Sequence, residues 1–183
     1  MLHKIKQCAL LGFMLVALTQ CDVIGPQPTN STEVITTAKL SFVQSSDTTQ
    51  RFVAVYKDAD GAGGAAPTID PIVLKPNTLY RVQVALLNES AATAINVSDE
   101  IVSEASDHQL FFVPSGVSVA VTYNDVDSKG NPVGLRSFWQ TASAAVGSMK
   151  ITLKHQVNKK PNAPGDISIG DTDIELNFAT KVQ

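Results

Sequence analysis

The chain has 183 residues, 44% of them hydrophobic, with 14 Lys and Arg against 17 Asp and Glu. A net charge of −3 without a Lys/Arg cluster excludes a nucleic-acid-binding polycation, and two cysteines exclude a disulfide framework.

Lys4 and Lys6 open the chain with positive charge, and Cys8 to Leu18 follows as an apolar run of secretory-signal length. A spanning helix needs about 20 apolar residues, and this run gives way sooner to Thr19, Gln20 and Asp22. A cleaved signal over residues 1–20 is therefore expected. Leu18-Thr19-Gln20-Cys21 resembles the lipobox of bacterial lipoproteins, with Gln20 where that pattern has a small residue. The resemblance implies that Cys21 becomes the first mature residue and carries acyl chains. At about 0.8 kcal/mol per buried methylene, two or three such chains hold a protein to a bilayer essentially permanently. Loss of Lys4 and Lys6 with the signal moves the net charge from −3 to −5 and leaves Cys21 as the only cysteine.

Residues 21–33 read as the lipidated cysteine and a flexible tether, because DVIGPQPTNST holds two prolines, a glycine and no apolar periodicity. Eleven such residues reach at most about 35 Å. Residues 34–183 suit one domain with a single core.

Through that domain apolar and polar residues alternate. Val34 to Gln44, Arg51 to Lys57, Thr78 to Leu87, Val117 to Tyr123, Met149 to Val157 and Asp171 to Phe178 are predicted strands, with shorter ones at Pro71 to Leu74 and Gln109 to Val113. Turn-rich segments separate them: Asp58 to Pro67, Lys75 to Asn77, Asn124 to Pro132 and Asn158 to Gly165. About eight short strands of this kind predict an all-β fold, an antiparallel immunoglobulin-like β-sandwich, with a closed barrel as its rival. Ser98 to Asp107 breaks the alternation. Ser98 is placed to cap a short inserted helix with acidic residues in its first turn, and Ile101 and Val102 are placed to face the core. Trp139, the only tryptophan, is expected in the core.

Chemistry has few carriers. Glu100, Glu104 and His108 are spaced i, i+4, i+8, and His155 lies in a distant predicted strand; together they form a candidate zinc or copper site, against a plain solvated acidic face. Eight helical residues span about 12 Å, so Glu100 and His108 share an ion only if the helix ends before His108. The Asp125-x-Asp127 and Asp58-x-Asp60 loops lack the ligands of a calcium loop and read as turns. No nucleophile elbow, phosphate loop or dinucleotide fingerprint appears, and no enzyme is expected.

The layout is similar to the envelope lipoproteins of the Bacteroidetes type that carry one immunoglobulin-like domain. The residues that carry the likeness are Leu18 to Cys21, the Pro/Thr/Asn/Ser tether, the Asp99-Glu100 to His108 segment, the Tyr123 to Gly134 loop and Leu153-Lys154-His155. It implies a non-enzymatic protein anchored by lipid in the outer membrane, facing the periplasm or the surface. Its sandwich would bind a protein partner or small ligand, capture a metal, or adhere to a glycan or an outer-membrane protein.

Overall fold

In a computed structural model of the chain, residues 33–61, 64–157 and 165–183 are described. The expected signal at 1–20, the lipidated Cys21 and the tether up to residue 32 lie outside them. Among the described residues no helix is long and apolar enough to cross a membrane.

Among the described residues eleven strands and one helix follow in chain order: β1 (Thr37–Gln44), β2 (Arg51–Lys57), β3 (Thr68–Ile69), β4 (Ile72–Leu74), β5 (Leu79–Asn88), β6 (Ile95–Asn96), α1 (Val97–Ser103), β7 (His108–Ser115), β8 (Val119–Tyr123), β9 (Arg136–Thr141), β10 (Ala145–His155) and β11 (Asp171–Val182). Seven strands form one sheet in the order β3-β2-β1-β5-β9-β8, with β6 beside β5, and four form the other in the order β4-β11-β10-β7. Neighbours run antiparallel except β4 and β11, which are parallel. The protein is an all-β sandwich.

The alternation that predicts the strands also builds the core. In β1 the side chains of Ala38, Leu40 and Phe42 are buried while Lys39, Ser41 and Val43 face out, and β5 buries Tyr80, Val82, Val84 and Leu86 in the same way. From the second sheet come Leu110, Met149, Ile151, Leu153, Leu176 and Phe178. Trp139, fully buried, bridges the two sheets: its ring meets Phe42 at 5.3 Å and Phe112 of β7 at 5.5 Å, edge to face in both cases. Its indole N–H donates to Ser137 Oγ at 2.9 Å, so the burial leaves no orphaned donor.

The helix differs from expectation at both ends. Asn96 stands at the N-cap in place of the expected Ser98 and makes no side-chain cap bond; Ser98 lies inside the helix, where its Oγ accepts the Leu86 N–H at 2.8 Å. Ile101 is buried, but Val102 is 62% exposed, since about two turns offer a single face to β5. The Asp125 and Asp127 loop behaves as a turn. Asp127 Oδ1 accepts the N–H groups of Lys129 and Asn131, and Asp125 accepts those of Gly134 and Arg136.

Candidate metal centre

The last residue of β10, His155, lies opposite the first residue of β7, His108, and both rings point inward at one end of the four-stranded sheet. They stack at 4.6 Å with 25° between planes. Two features of the chain deliver carboxylates to this pair.

The first is a β-bulge. Leu153 pairs with Ile174, but the next residue, Lys154, pairs with Thr172, which leaves Asp173 as the extra residue of β11. In a regular strand Asp173 would point away from the core, opposite in sense to Ile174. The bulge turns it inward, where its side chain is 1% exposed and Oδ2 lies 3.9 Å from His108 Nε2. Gly170, at φ +80°, starts this segment so close to His155 that a Cβ there would overlap the His155 carbonyl oxygen. The second feature is the segment leading into β1, which sets Glu33 Oε1 2.9 Å from His108 Nε2 with the carboxylate 9% exposed.

The orientation of His108 is fixed from behind. Its Nδ1 lies 3.2 Å from the carbonyl of Glu104, the residue that ends α1, so an Nδ1–H donated there turns the Nε2 lone pair toward Glu33 and Asp173. Imidazole lone pair and carboxylate oxygens in that arrangement repel unless a proton or a cation sits among them. With both carboxyls ionised, neither oxygen of Asp173 nor Glu33 Oε2 has a donor among the described residues; protonated, Asp173 shares a hydrogen bond with Glu33. The carboxyl of Asp173 is pushed up to about 7, first by burial and then by the adjacent Glu33 and by Asp171, with Lys154 opposing. Unpaired carboxylate oxygens in the interior cost several kcal/mol each; a proton held between Asp173 and Glu33 relieves that cost, and a divalent cation bound among these groups would do the same.

One ligand atom from each of Glu33, His108 and His155 falls within 4.8 Å of the others. A tetrahedral zinc ion with bonds of 2.0–2.1 Å needs ligand atoms about 3.3–3.5 Å apart, so small side-chain rotations would close the set; Asp173, with Oδ2 3.9 Å from His108 Nε2, stands beside these three. Imidazole nitrogen with carboxylate oxygen is a donor set for zinc or another divalent transition metal.

Of the four residues singled out from sequence, the fold brings His108 and His155 together. Glu104 serves through its backbone carbonyl; its carboxylate is 57% exposed, with Oε2 4.0 Å from His108 Nδ1. Glu100 is exposed on α1, outside the group. The helix ends before His108, but the chain then runs into β7 and carries His108 inward, away from the outer face that holds Glu100. Glu33 and Asp173 take the carboxylate places. Sequence reasoning missed both, since Glu33 sits in the expected tether and Asp173 in a strand where alternation places it outside. The only local sign is Gly170 just before the bulge.

Fold and cluster together define a β-sandwich with a buried histidine-carboxylate centre at one end. No protein-family model, no curated protein and no solved structure matches the chain.

Proposed function

We propose a lipid-anchored, non-enzymatic protein of the bacterial cell envelope whose sandwich captures a divalent transition-metal ion, zinc or copper, on His108, His155, Glu33 and Asp173. The observation that carries this reading is the buried group itself: two imidazoles and the Glu33 carboxylate converge with Asp173 beside them, and when both carboxyls are ionised three of their oxygens have no donor among the described residues. The lipobox-like Leu18 to Cys21 supports the anchor. Acyl chains at Cys21 would confine the site to a membrane surface and raise its effective concentration there. Glu33 closes the tether, so a bound ion would also fix the point at which tether meets domain.

Zinc titration followed by thermal unfolding tests the metal. Zinc at a hundredfold excess over its dissociation constant should stabilise the protein by about 2.7 kcal/mol, and His108→Ala combined with His155→Ala should erase that gain. An equal gain in the double variant would refute the site. Cys21→Ala tests the anchor separately, by release of the mature protein from membranes to the soluble fraction.

A further inference from the structure

We propose that the outer face of the seven-stranded sheet binds an acidic polysaccharide, with Arg81 and Arg136 taking the sugar carboxylates. This surface lies on the sheet opposite the one that carries His108 and His155, and the proposal does not depend on the metal centre.

The charge of this sheet runs against that of the chain. Strands β1, β2, β5, β8 and β9 contain Lys39, Arg51, Lys57, Arg81 and Arg136 and no Asp or Glu, in a protein with net charge −3. The register places every one of these cations on the face opposite the core, in line with Ser41, Val43 and Gln83. Lys57 is answered by Glu89 at 3.0 Å, whereas Arg51, Arg81 and Arg136 form no ion pair among the described residues. Arg81 lies opposite Phe138 and Gln83 opposite Arg136, so the two guanidinium groups spring from diagonal positions about 7–8 Å apart.

Between them runs a trough of about 380 Å³ lined by Ser41, Val43, Arg81, Gln83, Asn124 and Arg136. It continues past Gln83 and Arg136 into a second of about 290 Å³ that reaches Asn96 and Ser98 and ends near Asp99 and Asp125. Amide and hydroxyl side chains match sugar hydroxyls as both donors and acceptors. The planar guanidinium fork matches a carboxylate in two hydrogen bonds. Asp99 and Asp125 disfavour negative charge in the second trough, so the ligand's carboxylates fall in the first, between Arg81 and Arg136, and neutral sugar lies over the rest. A bilayer of anionic headgroups fits less well, because these groups line a concavity instead of standing at a rim. Single-stranded nucleic acid fits less well too, since Asp99 and Asp125 repel a continuous run of phosphates.

The test is calorimetric titration of the detergent-solubilised full chain with oligogalacturonate, neutral dextran oligosaccharide and a single-stranded DNA. Binding of oligogalacturonate alone is expected. Arg81→Gln with Arg136→Gln should weaken it by about tenfold or more, while Lys181→Gln on the opposite sheet leaves it unchanged. Arg81→Lys, which keeps charge but loses the fork, should fall between. Unaltered near-ultraviolet dichroism of Trp139 would establish that the variants are folded. No binding of oligogalacturonate, equal binding of DNA, or affinity indifferent to the double arginine variant would each overturn the proposal.

Discussion

Metal-free protein is expected to lose stability as pH rises from about 4 to about 7, and Asp173→Asn is expected to remove most of that loss. Asp173 titrates near 3.8 in an unfolded chain and is raised to about 7 in the fold. Between those values the native state holds the proton and the unfolded state does not, so unfolding releases protons and its free energy falls with increasing pH. Below 3.8 the native preference for the protonated form is fully present; above 7 it is gone. A shift of this size corresponds to roughly 4 kcal/mol at most, less the part screened by solvent. Asparagine keeps the shape without the ionisation, so the variant should be more stable than the parent in chelator at pH 7.5 and should take up zinc more weakly. Urea unfolding across the pH range, with and without chelator, measures both. A wild-type stability that is flat or rises over this window would contradict the interior carboxyl pair.

Trp139→Ala is the second large effect. The indole fills the space between the sheets against Phe42 and Phe112, and truncating a fully buried tryptophan costs about 3–5 kcal/mol in lost transfer and residual cavity. For a domain of this size that lowers the melting temperature by roughly 6–20 °C. Ser137→Ala keeps the ring but orphans its N–H, at about 1–3 kcal/mol. Thermal unfolding of both variants should rank them in that order, and parity between them would place the main role of Trp139 in its hydrogen bond instead of its packing.

The strands were legible because a sandwich core demands a period of two, and β2 runs from Arg51 to Lys57 as the alternation in RFVAVYK predicts. Strands β3 and β6 were not, because each has two residues and is held by its neighbour's backbone instead of its own side chains. Ala145 to Ser148 begins β10 without any apolar alternation of its own, paired throughout with the end of β11. The site divides along the same line. His108 and His155 were visible as rare ligand residues, and cross-strand register joined them. Glu100 and Glu104 were attractive through helical spacing, a local rule, but a site in a sandwich is assembled by non-local pairing. Asp173 depends on one unpaired residue in a bulge, and Glu33 on where the leading segment crosses the end of the sheet; neither leaves a periodic trace in the chain.

The proposed centre places two imidazoles and two carboxylates around one divalent transition-metal ion inside the sandwich. Zinc K-edge X-ray absorption on the full chain, after zinc loading and dialysis, reads those neighbours. One zinc per chain is expected, with four nitrogen or oxygen neighbours at about 2.0–2.1 Å and outer-shell scattering from two imidazole rings that is lost with His108→Ala and His155→Ala. Zinc absent after dialysis, or a spectrum without imidazole scattering, would contradict that centre.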